Sequence, residues 1–397
     1  MYHGTWAPKE EERPGETDEH AMSGAAAPVE AQRSGSATIK QIASFVVGLV
    51  IVVAIFLFVI PRFADWGEVW AAMKTLTPIE FWSLLAATIF NLYTYWLANQ
   101  AALPGLRLKQ SAVVTQTGTA VANTVPAGGA VAIGMTYAIL HSWGFTGGET
   151  ALFVGVTGIW NTFAKLGLPV IALGLLVATG HTNPALLGAA AIGVAVLVVA
   201  VVLLALVFKS SSIARSVGDF LGRIASWFLK PFRRGPVTSL GDRAVDFRRT
   251  TIVLVERRWI RLTWTTVLSQ VALFLVLLVS LRNMGVSEQD VSTVEVFAIY
   301  TFARLLSAIP ITPGGVGVID LGYIGGLSAI DRPEAAQIIA AVLIFRVLTY
   351  GIQIPIGGGT YFVWRAKTSW RRDSPPPGSI SAQLESVARG RAADNIE

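Results

Sequence analysis

The stretch that decides the fold is Pro310-Ile311-Thr312-Pro313-Gly314-Gly315-Val316-Gly317, set in the middle of the largely apolar segment Val294–Ile330. An apolar run of this length would ordinarily read as one crossing of a bilayer, since about 20 residues at 1.5 Å each span its hydrocarbon core. Proline removes a backbone donor and clashes with the preceding turn, and paired glycines lower the helix preference further. Each half is then too short to cross, and the segment reads as a helical hairpin that turns back within the membrane.

An earlier stretch repeats the pattern. Ser111–Leu140 is apolar but broken by Asn123-Thr124-Val125-Pro126-Ala127-Gly128-Gly129. Around the two broken stretches stand six apolar runs of crossing length: about Gln41–Ile60, Ile79–Leu103, Ala151–Ala178, Ala185–Phe208, Ile260–Leu281 and Ala335–Trp364. Composition agrees, with 53% hydrophobic and 14% charged residues against roughly 25% charged in soluble domains. The expected fold is an all-α integral membrane protein of about six transmembrane helices plus two re-entrant helical hairpins, eight apolar segments in total.

Basic residues orient the segments, because lysine and arginine favour cytoplasmic loops. Between Lys209 and Arg261 stand twelve basic and four acidic residues, and Arg365, Lys367, Arg371 and Arg372 follow the last run. If both broken stretches crossed, the basic linker would fall outside. If both return to their own side, every basic cluster falls inside, with the N- and C-termini cytoplasmic. Ile79–Leu103, the first hairpin and Ala151–Ala178 then form one unit. Ile260–Leu281, the second hairpin and Ala335–Trp364 form another of opposite orientation. This is an inverted repeat, a construction in which interrupted helices mark the substrate site of many transporters.

The expected organisation is a disordered tail over 1–36, rich in Ala, Gly, Ser and Glu, a first membrane half over 37–208 with its hairpin at 111–140, a linker over 209–258, a second membrane half over 259–366 with its hairpin at 294–330, and a disordered tail over 367–397. The linker places Ile213, Val217, Phe220, Leu221, Ile224, Trp227 and Phe228 at spacings of three and four, with Arg215, Arg223 and Lys230 between them. That spacing predicts an interfacial amphipathic helix, either a connector resting on the membrane or a dock for anionic lipid or a partner. No signal peptide is expected, because the first apolar run starts near Gln41, lacks a small-residue cleavage signature and ends at Pro61-Arg62.

Several chemistries are set aside by content. The chain has no cysteine, which excludes disulfides and thiolate nucleophiles or metal ligands. Its four histidines are His3 and His20 in the tail and the isolated His141 and His181, so no metal or acid–base pair is expected. There is no G-x-x-x-x-G-K-[ST] loop for nucleotide. The net charge of +6 sits beside membrane segments, where topology and anionic lipid account for it, so no nucleic-acid partner is expected. No cofactor and no catalytic residues are expected.

The residues left to carry function lie inside apolar segments. Lys165 is about fifteen residues, roughly 22 Å, into its run, and Arg346 about eleven residues into its own. The two occupy matching places in the repeats, each after a hairpin and before a proline, Pro169 or Pro355. A cation at the bilayer centre costs about 2.5–3.5 kcal/mol on insertion scales, so it takes a partner or faces water. One reading makes them attract an anionic lipid headgroup, Arg346 by bidentate contact. The other pairs Arg346 with Asp320 or Glu295, and Lys165 with a carbonyl.

Arg304 and Asp320 flank the second break and are expected to face each other across it, as an ion pair or a gate that opens when phosphate competes. Asn123, Gly128, Gly129, Gly314 and Gly315 complete the expected headgroup site, their amides cradling phosphate, unless the glycines only permit close packing. Asn91, Asn99, Gln100, Gln116, Asn161 and Gln270 read as interhelical hydrogen-bond partners, and Tyr137, Tyr300, Tyr323 and Tyr350 as interface anchors, with headgroup binding as the alternative.

Ile311-Thr312-Pro313-Gly314-Gly315-Val316-Gly317-Val318-Ile319-Asp320, with Asn123–Gly129 and Phe345-Arg346, resembles the lysylphosphatidylglycerol synthase/flippase membrane-domain family over about Lys40 to Lys367. The resemblance implies a flippase-like integral domain, in some members joined to a soluble aminoacyl-transferase head that modifies phosphatidylglycerol. No such head is seen in this sequence, so handling of an anionic phospholipid or polyprenyl-linked lipid is expected, and lysine transfer is not. Members often carry glutamate near Asp320, which retains the acid with a shorter reach. The alternatives are a non-transporting membrane scaffold that recruits an envelope-lipid enzyme through its basic linker, and a membrane-embedded transferase using Asp320 as base.

Overall fold

The computed structural model describes residues 66–124, 128–180, 240–306, 317–328 and 335–383, with isolated positions between 194 and 223 and at 386. The expectations for the N-terminal tail, for Gln41–Ile60, for most of Ala185–Phe208 and of the amphipathic stretch Ile213–Lys230, and for Gly314 and Gly315 fall outside the described residues.

Every described element is helical: α1 Trp66–Lys74, α2 Pro78–Ala102, α3 Leu108–Thr124, α4 Gly128–Ser142, α5 Gly147–Ala178, α6 Leu240–Asn283, α7 Thr293–Leu306, α8 Val318–Ser328, α9 Ala335–Arg346 and α10 Gln353–Ala366. Among the described residues, three stretches are long and apolar enough to cross a membrane: Gly147–Ala178, Arg258–Asn283, and Ala335–Ala366, which unites α9 and α10. Large apolar side chains also point outward, Trp264 at 70% exposure and Phe362 at 71%. An exterior carrying large apolar side chains suits lipid as solvent. The chain is an all-helical, multi-pass membrane protein.

Helix starts are written locally. Thr77 and Glu80 form a reciprocal capping box at α2, with Glu80 accepting from the Thr77 amide at 2.7 Å, and Thr146 with Glu149 repeats it at α5. Each box satisfies two donors that a helix N-terminus otherwise leaves unpaired. Between α9 and α10 the helix widens into one π turn over Val347–Gly351, where the Ile352 amide bonds Val347 O at 2.8 Å. Pro355 explains the defect, because it has no N–H for the carbonyl of Gly351, and such π insertions cluster at functional sites.

The packing is reciprocal. α2 lies along α6; α3 packs on α10, and α7 packs on α5. If α2 to α5 form one unit and α6 to α10 another, the first hairpin of each unit rests on the last helix of the other. The α3–α10 contact is close enough to require a glycine: a Cβ at Gly357 would stand 2.3 Å from Gln116 O and from the Ala120 Cβ. The Thr117 and Thr360 hydroxyls meet at 3.0 Å in the same seam.

Connections at one end meet the chain's C-terminal segment. Arg372 N–H donates to Ser142 O at 3.1 Å. Ser381 donates from N–H and Oγ to the Glu149 carboxylate, both at 2.9 Å. Ser379 is fully buried, its N lying 2.9 Å from where a Gly105 Cβ would stand. The turns before α3 and after α4 therefore lie at the same end. At the other, Asn283 donates to Glu80 O at 3.0 Å, and Gln337 at the start of α9 lies beside Gly285 in the α6–α7 turn. The pair α7–α8 likewise starts and finishes near one end.

The C-terminal segment differs from expectation. A disordered tail from residue 367 is replaced by an ordered strap through Gln383, held by the bonds above and by Trp370 edge-on to Trp143 at 5.8 Å. Its prolines and serines offer little apolar surface of their own. The strap gains order from partners distant in sequence, which composition does not report.

Candidate functional site

Between the two units lies a cavity of about 210 Å³. Four helices supply polar faces to it: Asn91 and Tyr95 from α2, Gln116, Thr119 and Asn123 from α3, Arg304 from α7, and Arg346, Thr349, Tyr350 and Gln353 around the π turn. Spacings of three, four and seven bring these side chains to one face of each helix.

Arg346 is the best-defined cation. Its Nε stands 2.5 Å from Asp320 Oδ1, and Nη2 donates to Oδ2 at 3.4 Å. The closer approach is an ion contact whose geometry is not that of a directed hydrogen bond. The guanidinium also stacks over Tyr350, 5.6 Å from the ring centroid. Asp320 sits in the first turn of α8, where its Oδ2 accepts the Gly317 amide at 2.7 Å. Gly317 takes φ +85°, a left-handed conformation that favours glycine. The conformation and the carboxylate together start α8 below the cavity.

Of the pairings the sequence left open, the structure has Asp320 with Arg346, and not set against Arg304 across the break. Glu295, the other acid considered for Arg346, instead caps its own helix, accepting from Ser292 N–H at 2.9 Å and Oγ at 2.7 Å. Arg304 lies among Tyr95, Tyr300 and Tyr323, the last two stacked at 6.4 Å between centroids. Tyr300 is fully buried and donates to Gln270 O at 2.9 Å, so it is no interface anchor. A tyrosine hydroxyl placed in the protein interior needs such a partner.

Asn123 is where the reading expected it, beside the first break and on the cavity wall. Its carbonyl accepts the Tyr350 hydroxyl at 2.8 Å, tying the end of α3 to the π turn. Gly128 and Gly129 do not line the cavity. Gly128 is buried where a Cβ would stand 2.3 Å from Ala122 O, so close chain approach is its role, while Gly129 has open space around it. Lys165 is half-buried on α5 and is not part of the lining, although it lies within electrostatic reach of Arg304.

Other polar residues divide into two groups. Asn99 donates to Thr115 Oγ1 at 2.6 Å and Gln270 to Asn161 Oδ1 at 3.2 Å, the interhelical bonds expected of them. Asn91 and Gln116 line the cavity. Tyr95, Thr119, Thr349 and Gln353 were not singled out from sequence. Their signal was present as the spacing Arg346, Thr349, Tyr350, Gln353 and as Gln116, Thr119, Asn123, a polar stripe on otherwise apolar helices.

The arrangement is suited to binding. Two guanidinium groups and several neutral donors converge on one cavity of about 210 Å³ between apolar helices, which is the chemistry of an anion that keeps part of its hydration. No curated protein matches the chain. The description of one protein family, the lysylphosphatidylglycerol synthase TM region, matches residues 45–357, and the chain belongs to that family.

Proposed function

We propose that the protein carries the headgroup of an anionic phospholipid or polyprenyl-linked lipid across the bilayer, without covalent chemistry, through the cavity of Arg346 and Arg304. The observation that carries the reading is the position of this cavity. It opens where the two reciprocally packed units meet, the usual place for a transporter site. The reciprocal packing itself supports an inverted repeat, because a two-fold relation requires every contact to recur with the partners exchanged.

The ends of the helices support two re-entrant hairpins. The turns flanking α3–α4 meet the same C-terminal strap, so that hairpin enters and leaves on the strap's side. The basic strap and the basic linker are cytoplasmic under the positive-inside rule, in the cell membrane. The α7–α8 hairpin enters from the opposite face. In this mechanism a lipid phosphate competes with Asp320 for Arg346, and the carboxylate released keeps its bond to the start of α8. Acyl chains remain in lipid while the headgroup passes between the units.

The test is translocation of fluorescent phosphatidylglycerol, and separately of a fluorescent polyprenyl phosphate, in proteoliposomes with wild type and Arg346→Ala. Movement of either lipid by wild type, and its loss in a folded Arg346→Ala protein, is the expected result. Equal movement with the two proteins removes Arg346 from the path. No movement of either lipid under any imposed ion gradient favours a scaffold that recruits an envelope-lipid enzyme.

A further inference from the structure

A second cavity, of about 630 Å³, lies at the strap end of the bundle, away from the Arg346 site and sharing no lining residue with it. Its volume is that of a ligand pocket. The end of α4, the start of α5, the end of α10 and the strap form its walls, through Ser142, Thr146, Trp364, Arg371, Arg372 and Asp373. His141 stands on the rim.

Three observations define what this cavity accepts. The first is charge: two arginines face one carboxylate, Asp373, and among the described residues neither arginine makes an ion pair. The second is construction. Arg372 is fixed by its backbone bond to Ser142, and Trp364 Nε1 donates to Ser142 Oγ at 2.9 Å. The strap also crosses Gly144 so closely that a Cβ there would stand 2.2 Å from Ser374 O. The third is depth. The cavity adjoins the end of the apolar stretch Ala335–Ala366 and is lined by Trp364, a residue type that settles at the headgroup level of a bilayer.

We infer that this strap cavity is a second anion site, which binds a phosphate group through Arg371 and Arg372. A phosphodiester headgroup from the adjoining leaflet and a free phosphate monoester share that chemistry. Because the walls come from the hairpin and from the strap, the bound phosphate joins the two. The inference rests on the membrane fold and does not require the protein to transport lipid.

Binding by the full chain in detergent, followed by native mass spectrometry, tests it. Short-chain phosphatidylglycerol, neutral phosphatidylcholine and glycerol 3-phosphate are the probes, on wild type, Arg346→Ala and the double variant Arg371→Gln/Arg372→Gln. The double variant is expected to bind phosphatidylglycerol about thirtyfold more weakly, from about 1 kcal/mol for each basic residue at a membrane surface. Arg346→Ala is expected to lose any lipid held in the Arg346 cavity and to keep the one at the strap, which the double variant loses, and the bound-lipid stoichiometry separates the two. Competition by glycerol 3-phosphate assigns the site to free phosphate, and its absence to the lipid. Wild-type affinity in the double variant, or equal binding of phosphatidylcholine, overturns the inference. Melting temperature checks the fold, and if the double variant melts early, Arg371→Gln alone decides by the same criterion.

Discussion

Arg346 and Asp320 lie in contact at 2.5 Å, yet the two ends of the pair are unequal: the arginine side chain keeps 16% exposure and the aspartate 2%. The inequality sets what each deletion does. Removing Arg346 strands a carboxylate inside protein, and breaking a buried pair in this way costs about 3–5 kcal/mol. Removing the charge of Asp320 leaves a guanidinium that still reaches the cavity. Arg346→Met is therefore expected to lower thermal stability more than Asp320→Asn. The double variant is expected to recover part of the loss, read from melting curves of all three proteins in one detergent.

Gly357 is expected to be the least replaceable glycine in α10. Gly357→Ala drives a methyl group into the backbone of α3, an overpacking worth about 1–3 kcal/mol. Gly358 has open space around it, so Gly358→Ala is expected to leave the melting temperature unchanged. Similar melting of the two variants would show that α3 and α10 are not held at this distance.

Gly144→Ala is expected to release the strap. The residue has φ +86° and faces Ser374 O, so a side chain there meets both strain, of order 1–3 kcal/mol, and a clash. Trypsin cleavage after Arg371 and Arg372 is expected to quicken by about tenfold relative to wild type. An unchanged digestion rate would mean that the strap does not depend on this crossing.

The absence of cysteine makes sidedness measurable with single introduced thiols. Arg107→Cys and His141→Cys, at the two ends of the first hairpin, are expected to react with an impermeant maleimide from the same face of sealed vesicles. Glu288→Cys, in the α6–α7 turn, is expected to react from the other. Labelling of residues 107 and 141 from opposite faces would turn the first hairpin into a crossing.

Glu288 links stability to pH outside the membrane segments. Its carboxylate accepts from Thr293 N–H at 2.8 Å and Oγ1 at 2.7 Å and contacts Arg282, and these partners hold it below the usual carboxylate range, the Thr293 amide foremost. A depressed carboxylate contributes stability above its unfolded pKa and loses it as pH falls through the folded one. Glu288→Gln is thus expected to melt earlier than wild type at about pH 7. The difference should shrink toward zero near about pH 3, and it stays under about 1 kcal/mol because the side chain is exposed.

The lengths of the apolar runs, the two Pro-Gly breaks and the placing of basic residues were legible in sequence because each is a local property. Run length measures whether a helix reaches across hydrocarbon, and a missing N–H interrupts a helix wherever it occurs. Arg346, Arg304 and Asn123 were legible as cavity residues for a related reason, since a polar group in an apolar helix must find water or a partner. The stripe Arg346, Thr349, Tyr350, Gln353 was equally present and needed only to be read at helical spacing.

Partner choice was not local. Two acids and three cations offered several pairings inside the membrane, and only the meeting of α8 with α9 joined Asp320 to Arg346 while Glu295 turned to its own helix end. The same holds for Gly128, whose role followed from the carbonyl of Ala122 lying against it. It holds as well for residues 367–383, which became a strap because the turns at Gly105 and Gly144 and the carboxylate of Glu149 were waiting for their backbone. Sequence alone determined that this chain is a helical membrane protein with two broken segments and cations at depth, because hydrophobicity and backbone donors belong to single residues. Tertiary structure alone decided which charges meet and which segments order, because those depend on distances between residues far apart in the chain.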